Sequence, residues 1–497
     1  MLQTLGSFCV RLSQKYVPNP LIFAILLSIV IFVLGILMTG TGPFQMIEYW
    51  YGGFWNLLTF GMQMVALLLF GYVLASSPPV KALVSWTAKF PRSSGQAIIL
   101  ITVLAMVFAY INWGLGLIVG AIAAREVCTQ AKRRGIRVHY PLAAAAGFSA
   151  LMVFACGFSA SAPLMMNSPG HFMYDDYGLI PISETILTPY NLVIVLVWML
   201  VMPFVYRAMQ PPADQVEEVA DFDKDGNPLP PPHARGTGSA RAPLPDTGTV
   251  DGYYAVADEQ DPPLPAGGGA GAATLDYPAP FTDTGLSLAE KLENAAVLTW
   301  AVAAAGIAYL VFHFTSRGFD LNLNIVNFSL LIAGMIAYRT PIAYVRAIDD
   351  GIKSCGQIAL QFPFYAGIMG MMSSSGMITV FSGWLVAISN AYTFPFVTLV
   401  SAAIVNLFVP SAGGQWAVQG PLLLEAARTL GVDEGVVIMA FTYGDQLTNG
   451  IQPFWMLPLL GVTFLKAREI LGYTAVIMII AFFIFAIGIS VLPLLMG

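Results

Sequence analysis

The sequence predicts an all-α polytopic membrane protein built as an inverted repeat, with about nine full transmembrane helices, two re-entrant hairpins and two broken helices. Three observations carry that expectation. Of 497 residues, 57% are hydrophobic and only 10% are charged, with a mean hydropathy of +0.73; soluble domains carry roughly a quarter charged residues. The charges collect in short loops and one long linker, leaving apolar stretches of about 15–25 residues, the length that crosses a bilayer core. The second half of the chain also repeats the order of features in the first.

The same composition excludes several classes. The net charge of −6 comes largely from the linker and implies no nucleic-acid partner. Cys9, Cys128, Cys156 and Cys355 show no metal-ligand spacing, and the four histidines are scattered. No haem, zinc or nucleotide motif is present, so no cofactor is expected beyond Na+ or H+ as a coupling ion. Arg11 and Lys15 precede the run Leu21–Met38, and no small-residue cleavage site follows it. That run is expected to stay as a helix and not as a cleaved signal.

Apolar runs place full crossings at about 21–38, 55–75, 141–165, 191–208, 295–312, 325–338, 357–372, 436–460 and 470–494. Basic residues in short loops orient them. Arg11 and Lys15 put the N-terminus inside; Lys81, Lys89 and Arg92 mark one cytoplasmic loop, and Arg125, Lys132, Arg133, Arg134 and Arg137 mark the next. The segment 96–124 therefore enters and leaves on one side. Its 29 residues make roughly 43 Å of helix, too little for two crossings. A re-entrant hairpin follows, turning at Asn112-Trp113-Gly114-Leu115-Gly116.

Residues 210–290 differ from the rest. Pro230-Pro231-Pro232 and Gly267-Gly268-Gly269 punctuate an acidic stretch that cannot build a core, which reads as a disordered cytoplasmic linker. Asp221, Asp223, Asp225 and Gly226 resemble the start of a calcium loop, but Pro232 stands where its bidentate Glu belongs. The domain division expected is a first repeat at 1–209 with hairpin 96–124 and broken helix 141–165. The linker and an extra transmembrane helix at 291–313 follow. A second repeat fills 314–497, with hairpin 394–425 and broken helix 436–460. The C-terminus then lies in the periplasm of an inner-membrane protein.

Gln361 lies 298 residues beyond Gln63, and the same offset carries Ser76-Ser77 onto Ser374-Ser375, Trp86 onto Trp384 and Gly116 onto Gly414. In each half an apolar span is followed by a short Trp-containing segment, a glycine-broken run, and a span with a polar break. The breaks read Gly157-Phe158-Ser159-Ala160-Ser161-Ala162-Pro163 and Gly444-Asp445-Gln446-Leu447-Thr448-Asn449-Gly450. Inverted repeats with interrupted helices are the architecture of alternating-access transporters. A channel or a membrane enzyme needs no such duplication, and no intramembrane His, Cys-His or paired-carboxylate constellation suggests catalysis.

The chemistry is expected at the tips and breaks. Asn112, Gly114, Gly116, Ser159, Ser161, Ser411, Gly413, Gly414, Gln415, Thr448 and Asn449 are the candidate substrate ligands. Glycines let backbone approach a ligand closely, and free helix N-termini suit a carboxylate; the alternative is that these glycines serve helix packing. Exposed carbonyls at the hairpin tips suit a sodium ion. Asp445 is the candidate coupling residue, because an intramembrane acid must be neutralised or paired; structural capping is its other reading. No Lys or Arg stands in either tip or break, which fits one substrate charge better than two or three.

Longer motifs carry a resemblance. They are Tyr16-Val-Pro-Asn-Pro-Leu-Ile-Phe23, Ala75-Ser-Ser-Pro-Pro79, Asn112-Trp-Gly114, Ala124-Arg-Glu126, His139-Tyr-Pro141 and Ser183-Glu-Thr-Ile186. Gln361-Phe-Pro-Phe-Tyr-Ala-Gly-Ile-Met-Gly370, Val409-Pro-Ser411, Gly413-Gly-Gln-Trp-Ala-Val-Gln-Gly-Pro421 and Gln452-Pro-Phe-Trp455 complete the set. Across nearly the whole chain outside the linker, the sequence resembles the bacterial short-chain fatty acid transporters, carriers of acetoacetate and butyrate. The resemblance implies membership of the wider ion-transporter group of citrate and dicarboxylate carriers, although that group's Ser-Asn-Thr hairpin signature is absent. Transport of a small monocarboxylate follows, with a C4-dicarboxylate or citrate-type carrier as the alternative. The partners expected are that carboxylate, the lipid bilayer and, as an open alternative, a second copy of the chain.

Overall fold

The computed structural model describes residues 20–220 and 287–496 apart from Ser354, Phe408 and Pro410. Arg11, Lys15, Cys9, the calcium-like stretch from Asp221 to Pro232 and most of the 210–290 linker lie outside the described residues. Within them the chain is helical throughout, with no β-strand.

The first half comprises α1 (Pro20–Thr39), α2 (Pro43–Gly53), α3 (Leu58–Ala75), α4 (Pro78–Thr87), α5 (Ser94–Ile111), α6 (Trp113–Arg133), α7 (Tyr140–Gly147), α8 (Ser161–Met166), the single turn α9 (Tyr174–Tyr177) and α10 (Pro189–Ala208). The short α11 (Leu288–Glu293) and the long α12 (Ala296–Arg317) lead into the second half. That half comprises α13 (Leu323–Tyr338), α14 (Pro341–Ile352), α15 (Gly356–Ser374), α16 (Met377–Ala387), α17 (Phe394–Asn406), α18 (Ala412–Leu430), α19 (Glu434–Thr448), α20 (Pro453–Thr463) and α21 (Ala467–Met496). Proline opens α2, α4, α10 and α14, where its missing N–H costs nothing and its fixed φ suits the first turn. Ser93 and Thr188 cap α5 and α10 through the backbone N–H groups of Gln96 and Asn191.

The offset of 298 residues reappears in the helices. α2 and α14 begin at Pro43 and Pro341, and α3, α4, α5 and α6 recur within a few residues as α15, α16, α17 and α18. The turn from α15 into α16 bends the chain by 81°. Seven helices are long and apolar enough to cross a membrane, eight when that bent pair counts as one. Six of the seven match expected crossings, and the seventh, Ser94–Ile111, is the first arm of the expected hairpin. The run at 325–338 forms a helix of 16 residues and the run at 436–460 is divided.

Burial sorts the spans. Within the most apolar 18 residues of each span, 94% are buried in Tyr140–Met166, whereas 17% are buried in Leu21–Thr39 and in Leu288–Arg317. The broken span is thus the centre of the molecule, and α1 and α12 present apolar faces outward, as lipid-facing helices do.

Three details depart from the sequence reading. The first hairpin is longer than 96–124, because α6 runs on through Arg125 to Arg133; Lys and Arg are good helix formers, and only the apolar stretch ends at Ala124. The first break is wider than 157–163: α-helix stops at Gly147, and 3-10 turns carry the chain from Phe148 to Cys156. The second break falls later than 444–450. α19 stays helical to Thr448, since Gly444 serves a close approach to the Leu399 carbonyl on α17.

The packed chain also extends past residue 210. Arg137 pairs with Glu218 at 2.7 Å and donates to the carbonyls of Ala213 and Val216, and Lys132 Nζ donates to the Val219 carbonyl at 2.9 Å. Tyr140 N donates to the Glu217 carbonyl at 2.8 Å, while Glu217 N donates to His139 Nδ1 at 3.1 Å. Val219 is buried. Residues 213–219 therefore form a strap across the corner between α6 and α7. Burial holds the His139 imidazole below its ordinary pKa, so it stays neutral and accepts through Nδ1.

Candidate functional site

At the first tip α5 passes into α6 through a single residue, Asn112. Its Oδ1 accepts from Leu115 N at 2.9 Å and caps α6, while its Nδ2 donates to the Leu67 carbonyl at 3.1 Å. Leu67 lies midway along α3, so the tip sits at the mid-depth of that span. A Cβ at Gly71 would collide with the Asn112 amide, which explains the glycine. Gly114 packs on the Leu68 carbonyl and Gly116 on Ala109. These glycines face neighbouring helices at close range.

The first break docks on this tip. Ser159 Oγ accepts from Trp113 N at 3.0 Å, and Phe158 N donates to the Tyr110 carbonyl at 2.7 Å. Ser161, two residues on, is buried, and its hydroxyl has no partner among the described residues. One serine is thus committed to structure and its neighbour is free.

At the second tip Ser411 caps α18 by accepting from Gly414 N at 3.3 Å. Gly413 packs on Phe60 and Gly414 on Tyr365. Gln415 is fully buried; its Nε2 donates to the Ala402 carbonyl at 2.8 Å and to Gln419 Oε1 at 3.0 Å. Asn406, at the end of α17, donates through Nδ2 to the Asp445 carbonyl, to Thr448 Oγ1 at 2.9 Å and to Asn449 Oδ1 at 2.9 Å. Thr448 Oγ1 in turn donates to the Ala403 carbonyl at 3.0 Å. Asp445, Gln415, Thr448 and Asn449 are therefore gathered around the last turns of α17.

Asp445 is 1% exposed and sits in the last turn of α19, with one carboxylate oxygen lacking any hydrogen bond among the described residues. Capping acids belong at helix N-termini, and the C-terminal end carries partial negative charge. The position offers nothing to a cap.

The two halves meet across the breaks. Gln446 Oε1 accepts from Ala155 N at 3.2 Å, and its Nε2 donates to Cys156 Sγ at 3.1 Å. Tyr443 donates to Asn191 Oδ1 at 2.7 Å, and Asn191 Nδ2 reaches the Cys156 carbonyl at 3.1 Å. Trp113 and Trp455 pack edge to face at 5.4 Å. Sequence reasoning missed Asn406, Gln452 and Asn191. A signal for Asn406 existed: it is the lone amide in the apolar arm 394–409, where a polar side chain is costly without a role.

A membrane-spanning helical body with two polar breaks meeting at its buried centre defines a multi-pass transporter. Residues 1–225 and 282–492 match the family described as Short chain fatty acid transporter. The chain belongs to that family. It is 36% identical to a protein of Escherichia coli (strain K12) named "Putative short-chain fatty acid transporter", over 99% of this chain and 100% of that one. A protein of the same description from Haemophilus influenzae is 34% identical over 98% of this chain and 99% of its own length. The fold is similar to that in the crystal structure of the Alcanivorax borkumensis YdaH transporter, with TM-score 0.56 and 16% identity over 96% of this chain and 97% of that one.

Proposed function

We propose that the protein is a secondary active transporter of short-chain fatty acids, monocarboxylates of the butyrate and acetoacetate kind. In this reading it works across the inner membrane by alternating access, coupled to a cation or a proton. The observation that carries this reading is the meeting of two broken spans at the centre of the molecule, where each leaves polar side chains without partners. Ser161 offers a hydroxyl to a carboxylate, and Asp445 a site that needs neutralising. No Lys or Arg stands in either tip or break, so one substrate charge is accommodated more readily than two. The aromatic pair Trp113 and Trp455 gives a short alkyl chain an apolar surface beside Ser159.

The helices that recur at one offset support two inverted repeats, at 1–209 and 314–497, with α12 as the added crossing that reverses the second. The N-terminus then lies in the cytoplasm and the C-terminus in the periplasm. The same pairing of hairpins with breaks supports placing the family among the citrate and dicarboxylate carriers by architecture.

Counterflow in proteoliposomes tests the reading. Labelled butyrate and acetoacetate should exchange against unlabelled substrate, and succinate should not. Exchange of succinate without butyrate would replace this reading with a C4-dicarboxylate carrier.

A further inference from the structure

Where α4 turns into α5, an exposed apolar face lies beside unpaired positive charge. Leu83, Trp86 and Phe90 are all exposed, at the spacing of one helix face, and Trp86 packs edge to face on Phe90 at 4.7 Å. Lys89 and Arg92 flank Phe90 and are exposed too. Arg207, near the end of α10, reaches the same corner from another part of the chain. Its side chain lies on Gly95 in the first turn of α5, where a Cβ would meet Nε at 3.0 Å. None of these three cations has an ion pair among the described residues.

A fourth cation holds the loop in place. Arg134, just past the end of α6, donates to the carbonyls of Ala88 at 3.0 Å, Lys89 at 2.7 Å and Pro91 at 2.9 Å. Arg92 N donates to Gln96 Oε1 at 2.7 Å, and Ser93 caps α5. One guanidinium is therefore committed to the backbone, and the side chains of Lys89 and Arg92 stand free on a fixed loop.

We propose that this corner binds the headgroup of an anionic phospholipid. Lys89, Arg92 and Arg207 surround the phosphate, and Leu83, Trp86 and Phe90 lie against the glycerol and the upper acyl chain. The binding does not depend on the transport reading above.

Three arguments select the ligand. Guanidinium groups match the paired oxygens of a phosphate, and no carboxylate of the protein competes for them within ion-pair distance among the described residues. A soluble anion would use the cations and leave three apolar side chains in water. A lipid uses both, since tryptophan favours the headgroup level and basic clusters there attract anionic lipid. The loop is also fixed before binding, so little conformational freedom is lost.

The repeat supplies a comparison within the chain. At the offset of 298 residues Trp86 and Phe90 become Trp384 and Ile388, which are exposed as well. Lys89 and Arg92 become Ala387 and Asn390, and no Lys or Arg occurs between Lys353 and Arg428. Asn390 Oδ1 serves its own turn, accepting from Tyr392 N at 3.0 Å and Thr393 N at 3.1 Å. The apolar corner is thus present twice and the charge once. Orientation in the membrane asks only for positive charge somewhere in a loop. It does not ask Arg207, from a separate helix, to lie on the same turn.

The test is native mass spectrometry of the full-length protein in detergent, titrated with phosphatidylglycerol or with phosphatidylcholine. Wild type should hold phosphatidylglycerol about tenfold more tightly than phosphatidylcholine. Arg92→Gln combined with Arg207→Gln should reduce that preference by about fivefold or more. The thermal unfolding midpoint in phosphatidylcholine should not move, because neither side chain is paired within the protein. Arg346→Gln combined with Arg468→Gln removes the same charge from exposed positions elsewhere and should leave the preference intact. Glycerol phosphate, which has the phosphate without acyl chains, should not displace the lipid. Equal affinity of folded wild type for the two lipids would overturn the site, as would an unchanged preference in the first double variant. An equal loss in the second would reduce the effect to net charge and overturn it too. Displacement by glycerol phosphate at equal concentration would replace the lipid by a soluble anion.

Discussion

The two tips descend from the same position in a repeated pattern and do opposite things with their polar groups. At the first, the amide of Asn112 is used on both sides, and Ser159 accepts a backbone N–H. At the second, the amides of Asn406, Gln415 and Gln452 are held by their nitrogens and keep their oxygens free. Even the supporting helices differ: Gly71 makes room for Asn112, and the residue 298 positions on is Met369. A repeated fold therefore fixes where backbone is interrupted without fixing which charge the interruption attracts.

The sharpest way to break this comparison is Asp445→Asn. It keeps the shape and removes the charge, so accumulation driven by an imposed sodium or proton gradient should be lost while counterflow persists. Wild-type accumulation would show that the second tip carries no coupling and that the contrast is one of packing alone.

Next in size is Gly71→Ala. The added methyl displaces the Asn112 amide from its cap and from Leu67, and should cost about 2–3 kcal/mol in stability. A drop in the unfolding midpoint of purified protein checks this; an unchanged midpoint would mean that the first tip is not built on that amide.

The serine pair separates structure from binding within the first tip. Ser159→Ala leaves Trp113 N without its acceptor and should lower stability by about 1–3 kcal/mol. Ser161→Ala should leave stability unchanged and weaken butyrate binding about tenfold, equal to ~1.4 kcal/mol. Reversed outcomes would exchange the two roles.

The smallest effect lies outside both tips, in the strap. Burial lowers the His139 pKa in the folded chain, so its contribution is complete above the ordinary imidazole value near pH ~6.5 and is lost as pH falls from there through the lowered folded value. Protonating Nδ1 turns it from acceptor to donor against Glu217 N. Limited proteolysis after residue 213 should quicken between pH 7.5 and 5.5 in wild type and lose that dependence in His139→Gln.

Most of the helices were legible because a bilayer demands long apolar runs, and the first hairpin was legible because Asn112 interrupts one. The breaks were harder. Glycine signals both an interruption and a close helix contact, and at Gly444 the second meaning applies. Charged residues ended the expected hairpin at 124 although nothing in Arg125, Lys132 or Arg133 stops a helix. The helices α2 and α14 are short and half polar, so hydropathy passed over them. Within the site, Asp445 was visible as a charge out of place. Asn406 was not expected because its importance comes from three partners on a helix some forty residues away.

Gly120 and Gly147 illustrate what such contacts do to movement. A Cβ on either would strike the other's carbonyl, so α6 and α7 touch backbone to backbone with no side chains between them. Gly444 against the Leu399 carbonyl joins α19 to α17 in the same manner. Helices usually shift past one another by small rearrangements of interdigitated rotamers. A joint without rotamers has none to rearrange. Any displacement of such a hairpin arm would carry with it the break it touches, like two plates riveted through one hole. Contacts padded by flexible side chains lie elsewhere, as along α1, where Gly35 faces the side chains of Met46 and Met377.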